Sequence, residues 1–592
     1  MTDPMAVDLA TLRRWLKQRV NTTEFREFVA ETLLEMCRID TIPTRNLTDT
    51  ARREGQLLRL IAESIARHGL SGRLERRPIS HGIAAHPFYT FPHYAGGVDA
   101  YSGRWNLLYL RDAPPASGTD RGTANSRAAT GSTAPDGIAS GGIGVNAHVD
   151  TVAPYFAPRR EGEQVIGRGA CDDKGGCAVM VASLRLLREL EQRFGICPAS
   201  DLTFMFVIEE EMGGNGSLTL AMDERLSARY GTVVVLECCD GQVHPGGRGA
   251  LWYRVEIPVF AENPPESLSG YNPLLLALEI IRGMDREGAA IRAESDHPLF
   301  VQTAVQTSPG ILGPYGEHPA RICASVAFEL SAENAESGLD QLDSRLKGGL
   351  QDYIRRYGDK SIGEQSGASL RRHYDLLPTA AGNVELHVHG LSGHMGALYE
   401  NDNALIKAAY LLQALKFTSK TGGEGWRIRL LDQSSETPLL LEGGQGFVPT
   451  HSMDQIKSRL STAVQRAYRR YARTTWRRIP YFRDTTPRVS FAKLHNEAYQ
   501  SDPASPSVAQ ALLAAEDAGI EVHRPLLGWE VSSDARIFAH LRPGLPVFTT
   551  GPGRLALAHS DQEQITIDEL CAGTLMLTLF VLRHGGFFAP DG

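Results

Sequence analysis

The middle of the chain alternates short apolar runs with stretches of helical length, and this alternation restricts the possible folds most strongly. Strands that alternate with helices need crossover connections, which favour a largely parallel sheet. The segments are Ile143–Ala147, Val179–Leu190, Leu202–Ile208, Leu218–Arg229 and Thr232–Leu236. The pattern returns in Ser507–Ala518, Pro546–Thr549 and Ile567–Arg583. We therefore predict one α/β domain with a mixed, largely parallel sheet, split by an insertion between about Arg248 and Pro487.

The composition of the chain limits which classes of binding partner we expect. The 592 residues are 42% hydrophobic and 22% charged, as in globular proteins of several domains. Sixty-one lysine and arginine residues against 69 aspartate and glutamate residues leave a net charge of −8, so we expect no nucleic-acid partner. No apolar run approaches the roughly 20 residues of a membrane span. The lack of such a run predicts no membrane partner. Eight cysteines are too few for a disulfide scaffold, so we expect a cytoplasmic location.

The first part of the chain is predicted to be helical and then extended. Met1–Val20 has the spacing of an amphipathic surface helix and lacks the apolar core of a secretory signal. Helical spacing recurs in Phe25–Arg38 and in Arg52–His68, and Trp105–Leu110 is typical of a strand. Residues 113–142 are rich in Gly, Ala, Ser, Thr and Pro, which predicts a flexible surface loop.

The insertion contains an internal repeat. Leu339–Leu346 (LDQLDSRL) resembles Met453–Leu460 (MDQIKSRL), and each is followed at the same spacing by an Arg-Arg-Tyr sequence. Each has a helix with a similar opening upstream, at Asn272 and at Asn403. The alternative is two unrelated amphipathic helices that share common residues. We predict a duplicated α+β lid, with a catalytic domain at 1–247 and 488–592 and lid copies at 248–380 and 381–487.

Residues of the types that bind metals follow the predicted strands, where open α/β sheets place their sites. His148 and Asp150, two apart on an extended chain, point the same way, so that the carboxylate can orient the imidazole. Asp172 lies in a glycine-flanked acidic turn before a helix, where an aspartate also serves simply as a cap. Each of these signals is weak by itself.

Three further segments continue the pattern. Glu209–Glu211 directly follow an apolar strand, and adjacent carboxylates repel unless a cation neutralises them. One can then ligate a metal while its neighbour acts as a general base, whereas the alternative is a charged loop. Glu237 ends a β-branched run, with Asp240 as a rival ligand; the intervening Cys238 and Cys239 are more typical of small buried residues. A Gly551-Pro-Gly553 loop precedes His559, which is able to close a site.

The order of these motifs resembles the dizinc metallopeptidase and amidohydrolase family of aminoacylase, carnosinase-like dipeptidases, succinyl-diaminopimelate desuccinylase and glutamate-releasing carboxypeptidases. The motifs are His-x-Asp, Gly-Arg-Gly-x-x-Asp-x-Lys-Gly, Glu-Glu-x-Gly-Gly, a glutamate after a strand, and a late Gly-Pro-Gly before a histidine. Arg104–Leu108 and Ser533–Arg536 fit the same resemblance, which covers nearly the whole chain. It implies a zinc-peptidase-like catalytic domain interrupted by a lid.

The resemblance also implies roles for individual residues. One zinc is expected at His148 and Glu237 and the other at Glu211 and His559, with Asp172 bridging them. Asp150 is expected to orient His148, and Glu210 falls on the family's general base. Arg536, Gly551 and Gly553 lie where the family contacts substrate. Two divalent ions are expected, zinc first, with cobalt or manganese as alternatives.

The lid motif concerns the oligomeric state. Gly390-Leu-Ser-Gly-His394 and Asn403-Ala404 match the family's lid signature, in which the histidine stabilises the oxyanion and in dimeric members comes from the partner's lid. The first predicted copy has no such histidine. We therefore expect the second copy to deliver His394 to its own active site, which favours a monomer over a homodimer.

The sequence departs from the family pattern at the residue that commonly binds the substrate carboxylate. The family commonly carries Asp-x-Arg on a lid strand, where the arginine contacts the substrate carboxylate, but the corresponding strands here carry Glu329 and Glu442. We predict hydrolysis of an amide or peptide-type C–N bond in a small molecule, such as a dipeptide or an N-acyl amino acid. The alternatives are a specialised amidohydrolase or deaminase of an unusual metabolite and a non-catalytic binding protein on a hydrolase fold.

Overall fold

The computed structural model describes most of the chain. The described residues are 8–95, 99–114, 141–260, 268, 270–331, 339–361, 370, 372–395, 402–417, 425–432, 438–476 and 485–588. Most of the predicted loop at 113–142 therefore lies outside the described residues, as do the first seven residues of the predicted helix Met1–Val20.

The N-terminal part of the catalytic domain alternates helices and strands. Its helices are α1 (Leu9–Val20), α2 (Thr23–Cys37), α3 (Leu47–His68), α4 (Lys174–Phe194), α5 (Asn215–Ala221) and α6 (Glu224–Ser227). Its strands are β1 (Arg73–Pro78), β2 (Trp105–Arg111), β3 (Gly142–His148), β4 (Arg159–Glu161), β5 (Gln164–Ile166), β6 (Cys197–Pro198), β7 (Leu202–Val207), β8 (Tyr230–Leu236) and β9 (Gly246–Gly247).

Local chemistry accounts for the helix ends. The Asn46 side chain accepts from the backbone of Asp49 at the start of α3, which ends before Gly69 as expected. One predicted helix, Leu218–Arg229, is instead divided into α5 and α6. The division falls at Asp223, whose carboxylate accepts from two backbone N–H groups of α6 and so begins a new helix.

The insertion follows β9 and contains four helices and eight strands within the described residues. The helices are α7 (Pro273–Glu294), α8 (Leu339–Tyr357), α9 (Ala404–Gln413) and α10 (Met453–Tyr471). The strands are β10 (Gly249–Ile257), β11 (Thr307–Leu312), β12 (Ser325–Ser331), β13 (Tyr374–Pro378), β14 (Val384–His389), β15 (Arg427–Leu430), β16 (Leu439–Phe447) and β17 (Arg488–Ser490).

These elements form two units of the same topology, one inside the other. The outer unit contains the sheet β11-β16-β10-β17 with helices α7 and α10. The nested unit, residues 325–430, contains the sheet β13-β14-β12-β15 with helices α8 and α9. In chain order each unit is βαββαβ, its strands are antiparallel, and its first and third strands are central.

The structure divides the insertion differently from the predicted boundary at 380/381. The nested unit interrupts the outer one between β11 and β16, so each predicted copy contributes elements to both units. The repeat-bearing helix α8 packs on α9, and its counterpart α10 packs on α7. A sequence repeat shows that the same elements occur twice in the same order. It does not show which strands pair and so which elements belong to one unit. A common origin of the two units stays a prediction.

Strand β18 (His495–Asn496) still pairs with β10 of the lid, and the chain then returns to the catalytic domain. The remaining elements of that domain are β19 (Tyr499–Gln500), α11 (Pro506–Ala518), α12 (Ala535–Leu541), β20 (Val547–Thr550), β21 (Gln564–Thr566), α13 (Ile567–Gly585) and β22 (Phe587–Phe588). The central sheet has the order β1-β2-β7-β3-β8-β20. Strands β7, β3, β8 and β20 are parallel, while β1 and β2 are antiparallel, which confirms an α/β fold with a mixed sheet.

One hydrophobic core joins the two sequence pieces of the catalytic domain. Leu12 of α1, Leu184 of α4 and Leu579 of α13 belong to the same buried cluster. The insertion has its own core, shared by both lid units. The lid and the catalytic domain therefore have separate hydrophobic cores.

Candidate metal centre

Three neighbouring parallel strands end at the candidate site. Strand β3 ends at His148, β7 is followed by Glu209–Glu211, and β8 is followed by Glu237. Because β3 lies between β7 and β8 and all three run in parallel, their carboxyl ends meet at one edge of the sheet. This edge collects side chains that are far apart in sequence.

Asp172, just before α4, lies between two histidines. Its Oδ1 is 3.1 Å from His148 Nε2, and its Oδ2 is 3.2 Å from His559 Nε2. Burial alone would raise the pKa of Asp172, but hydrogen bonds and positive charge from the two imidazoles hold it well below its ordinary value. The Asp172 carboxylate thus connects the two sequence pieces of the catalytic domain, one carrying His148 and the other His559.

Glutamates complete the cluster. Glu211 Oε1 is 2.9 Å from His559 Nε2. Ligand atoms of His148, Asp172 and Glu211 lie within 4.8 Å of one another, and so do those of His148, Glu210 and Glu237. The structure therefore brings together all five predicted metal ligands and the predicted base Glu210.

The cluster contains more carboxylates than positively charged groups. Burial raises the pKa of Glu210 well above its ordinary value, and the carboxylates of Asp534 and Glu211 raise it further. Burial and the charge of Glu210 likewise raise the pKa of Glu237. Carboxylates so close together in a buried site need positive charge, which a divalent ion supplies.

Asp150 joins the β3 end to the glutamate loop. Its carboxylate accepts from the backbone N–H groups of Glu210 and Glu211, both at 3.1 Å. His148 Nδ1 is 3.1 Å from the Asp150 carbonyl oxygen and 3.5 Å from its carboxylate Oδ1. Asp150 therefore contacts both the imidazole and the backbone that carries the glutamates.

His394 reaches the centre from the lid of the same chain. Its ring centroid is 4.6 Å from that of His559. Two backbone hydrogen bonds, Met395 N to Ala320 O at 2.8 Å and Ile322 N to Gly393 O at 2.9 Å, hold its loop beside residues 320–322. Burial lowers the pKa of His394 well below its ordinary value, and the charges of His559 and Arg248 add to this, so the imidazole is neutral.

A match to a known family agrees with this geometry. The sequence model of Peptidase family M20/M25/M40 matches residues 144–583, about three quarters of the chain. The chain belongs to this family. The match covers the lid and parts of both sequence pieces of the catalytic domain. It also confirms the resemblance to the dizinc metallopeptidases that the motifs indicated.

Individual M20/M25/M40 relatives are distant. A Schizosaccharomyces pombe protein described as Peptidase M20 domain-containing is 32% identical over 112 residues, which are 19% of this chain and 26% of that protein. The chain spans about a fifth to a half of the length of the curated relatives it matches. Family and relatives indicate a hydrolase, which confirms the prediction of a hydrolytic enzyme.

Two solved structures share the fold at low identity. Human carnosine dipeptidase 1 has a TM-score of 0.52 at 13% identity, covering 98% of this chain and 100% of its own. The dipeptidase Dug1p of Saccharomyces cerevisiae has a TM-score of 0.53 at 11% identity, covering 99% of both chains. At such identities these likenesses support the fold alone.

The residues present fit the divalent metals that enzymes of this family typically use. Histidine nitrogens and carboxylate oxygens suit zinc, cobalt and manganese. Asp240 is exposed and so is separate from the buried cluster to which Glu237 belongs. Cys238, which the sequence analysis treated as a small buried residue, is buried, and its thiol lies within 4.8 Å of carboxylate oxygens of Asp172 and Glu237.

Two buried carboxylates behind the centre were missed in the sequence. Glu563 accepts from the backbone N–H of Asp172 at 3.2 Å and forms a buried ion pair with Arg168. The Asp173 carboxylate accepts from the backbone N–H of His148 at 3.3 Å. The available signals were an arginine between the glycines of the acidic turn and a glutamate four residues after His559.

The predicted substrate residues lie around the glutamate loop and Glu237. Arg536 is buried, donates from Nη2 to the Gly213 carbonyl at 2.9 Å, and is 5.6 Å from the Phe88 ring centroid. Added Cβ atoms would lie 2.3 Å from the Glu237 carbonyl oxygen at Gly551 and 2.6 Å from Cys171 Cβ at Gly553. Both glycines therefore allow this loop to approach the metal-ligand segments closely.

Within the described residues, no helix has the length and apolar character needed to cross a membrane. All eight cysteines are free. The cytoplasmic location stays a prediction.

Proposed function

We propose that this protein is a dinuclear, zinc-dependent hydrolase that cleaves an amide or peptide-type C–N bond of a small substrate such as a dipeptide or an N-acyl amino acid. One observation carries the proposal: the two oxygens of Asp172 reach His148 and His559 at 3.1 and 3.2 Å, with Glu210 in the adjoining cluster. This is the donor arrangement that two ions sharing one carboxylate require.

Each ion has its own set of ligands in this proposal. His148 and Glu237 would hold one ion, Glu211 and His559 the other, and Asp172 both. When bound, the two ions supply the Lewis acidity that activates water and polarises the scissile carbonyl. Zinc is the expected metal, and the same donors accept cobalt or manganese.

Glu210 acts as the general base. Glu209 is paired with Arg104, and Glu211 contacts His559. Glu210 lies in the cluster with His148 and Glu237 and is therefore the glutamate of the three that is available to act on water. It accepts a proton from the attacking water and later delivers that proton to the leaving nitrogen as the C–N bond breaks. A positioned carboxylate of this kind contributes about 10²- to 10⁴-fold to the rate.

His394 stabilises the developing oxyanion. Its neutral imidazole beside His559 supports a role as hydrogen-bond donor to the carbonyl oxygen, which becomes negatively charged as water adds. Asp150 positions both His148 and the glutamate loop through the contacts described above. Arg536 and the loop from Gly551 to Gly553 are proposed to border the substrate.

The first experiment is a substrate screen on metal-loaded protein. Dipeptides, N-acyl amino acids and N-carbamoyl amino acids are incubated with protein supplied with zinc, cobalt or manganese, and released amine is measured. Activity should disappear with a chelator and return with metal. Metal binding without turnover of any class would contradict the proposal and favour a binding protein, whereas turnover of only an unusual amide would favour the specialised amidohydrolase.

A further inference from the structure

The lid histidine lies in a short segment that begins where strand β14 ends. This His394 segment, Gly390–Met395, runs beside residues 320–324 of the insertion. The N–H of Gly390 donates to the Ala324 carbonyl at 2.7 Å, in addition to the two bonds further along the segment that are described above. Backbone hydrogen bonds therefore hold the segment along one side.

Asp402 holds the base of the segment from the other side. Leu391 N donates to the Asp402 carbonyl at 2.8 Å, and Asp402 N donates to the Leu391 carbonyl at 3.1 Å. The two stretches approach closely, because a Cβ atom on Gly390 would be 2.1 Å from the Asp402 carbonyl oxygen. Asn403 then caps α9, and its Nδ2 donates to the Pro309 carbonyl at 2.7 Å. The position of Asp402 therefore sets the position of the base of the His394 segment.

Lys407, in the first turn of α9, connects both stretches of this base. Its Nζ donates to the His389 carbonyl at 2.6 Å and to the Asp402 carboxylate. The Tyr353 hydroxyl of α8 donates to the other oxygen of Asp402. Asp402 and Lys407 are 0% exposed, and Tyr353 is 2% exposed. One buried ammonium thus contacts both the residue before the segment and the aspartate that pairs with the segment.

A buried ion pair of this kind contributes little to stability by itself. The removal of two charges from water costs about as much as their attraction returns, and apolar replacements of similar size are often neutral or stabilising. Loss of one partner is different, since it leaves a buried charge unpaired. What the pair does supply is a fixed geometry, because Lys407 and Tyr353 each hold one oxygen of Asp402.

A second buried aspartate of the lid provides a comparison. Asp285 of α7 accepts from the hydroxyls of Tyr357 and Tyr410, the latter at 3.0 Å, and pairs with Arg356 at 3.0 Å. Like Asp402, it is buried and is held by tyrosine hydroxyls and a cation. These three partners lie on helices α8 and α9, outside the His394 segment. A change at Asp285 should therefore weaken the packing of the lid helices without releasing the segment.

We propose that the Asp402–Lys407 ion pair positions His394, by fixing the base of its segment so that the imidazole stays beside His559. The inference rests on the proposed function, because it uses the role in oxyanion stabilisation that His394 has there. Asp402 and Lys407 act through His394 and are positioning residues. They should affect kcat rather than KM, since the oxyanion develops only in the transition state.

The first test compares two matched aspartate variants. Asp402→Asn should lower kcat about 10²-fold with little change in KM, as for a catalytic group displaced by about 1 Å. Asp285→Asn is the control and should keep kcat near the wild-type value. Both are assayed on metal-loaded protein with a substrate from the screen, and denaturant unfolding records the stability of each. A similar loss of kcat in both variants, or no loss in Asp402→Asn, would overturn the proposal.

A double-variant comparison tests whether the pair acts through His394. His394→Ala alone should lower kcat about 10²- to 10³-fold, as for the loss of one oxyanion donor. Lys407→Met alone should lower kcat about 10²-fold, but when it is added to His394→Ala it should lower the remaining kcat no further. Losses that multiply in the double variant would mean that Lys407 acts independently of His394, which would contradict the proposal.

An apolar variant separates positioning from folding. Tyr353→Phe, Asp402→Leu and Lys407→Met together leave no buried charge unpaired, so the free energy of unfolding should stay near or above the wild-type value. The kcat should nevertheless fall as it does in Asp402→Asn. A stable triple variant with the wild-type kcat would show that packing alone positions His394, and the proposal would be wrong.

Hydrogen exchange provides a measurement that needs no substrate. In the triple variant, the backbone amides of residues 390–395 should exchange faster than in wild type, while those of β3 should be unchanged. In Asp285→Asn, residues 390–395 should keep their protection. Unchanged exchange of this segment in the triple variant would overturn the role of the ion pair. Absence of hydrolysis by the metal-loaded wild type, with faster exchange in the triple variant, would overturn only the proposed function.

Discussion

At the scale of single residues, three consecutive glutamates have three different environments. Glu209 is buried against Arg104 Nη2 at 2.7 Å and accepts from the Tyr101 hydroxyl at 3.0 Å. Glu210 is partly exposed among the metal-site carboxylates, and Glu211 contacts His559. Their roles differ because each side chain leaves the tight turn after β7 in a different direction.

The role of Glu210 is tested by Glu210→Gln. The amide cannot accept the proton, while every proposed ligand remains, so we expect unchanged metal content and a loss of about 10²- to 10⁴-fold in kcat. Turnover and metal content are measured on the same sample. Glu211→Gln is the matched control, because it should lose metal as well as activity. Near-normal turnover in Glu210→Gln would contradict the assignment.

The role of Arg104 is tested by Arg104→Met. The change leaves Glu54 and Glu209 buried without their shared cation, so we expect a decrease of about 3–5 kcal/mol in the free energy of unfolding. Denaturant unfolding measures it. Arg52→Met, which removes an exposed pair with Asp49, should change it by at most about 1 kcal/mol. Similar effects in the two variants would contradict a structural role for the buried network.

At the scale of elements, the candidate centre brings together five segments of the catalytic domain. It connects the ends of β3, β7 and β8, the start of α4, and the loop between β20 and β21. Without a cation, the carboxylates at these ends repel one another. Metal binding should therefore stabilise the arrangement of the elements as well as support chemistry.

Thermal unfolding tests this coupling. Chelation should lower Tm, and zinc, cobalt or manganese should restore it, because an ion at 100 times its Kd stabilises the folded state by about 2.7 kcal/mol. Asp172→Asn, which weakens the shared carboxylate, should reduce the metal-dependent shift. A Tm that does not change with chelation or added metal would contradict a metal centre at these strand ends.

At the scale of the whole molecule, the lid brings His394 to the active site of its own chain. The histidine lies in the nested unit, yet its ring is 4.6 Å from that of His559 in the catalytic domain. Arg321 of the insertion also pairs with Asp561 at 2.7 Å. Both contacts lie within one chain, which supports the expectation that His394 serves its own active site.

We therefore predict a monomer that is active by itself. Light scattering on the purified protein should give a mass near the 64.6 kDa of one chain. His394→Ala and Glu210→Gln proteins should each be inactive, and mixing them should restore nothing, because each chain uses its own histidine. Recovery of activity on mixing would show that His394 acts across a dimer.

The sequence alone predicted the α/β class and the split catalytic domain, because strand periodicity is a local property, whereas the members of the metal cluster were predicted from the order of motifs that resembles a known family. It also located the helices of the insertion, since the Asn272 and Asn403 caps and the apolar spacing are local. It did not determine the nesting of the two lid units, which depends on pairings such as β12 with β14 across more than 50 residues.

Only the tertiary structure decided the surroundings of individual charged groups. Glu237 rather than Asp240 belongs to the centre because one is buried at the strand end and the other is exposed. Glu563 is recognised as a neighbour of the centre only because it accepts from the backbone of Asp172 and pairs with Arg168. A charged side chain has the same sequence signal whether it is solvated, paired or unpaired, and burial in three dimensions is what separates these cases.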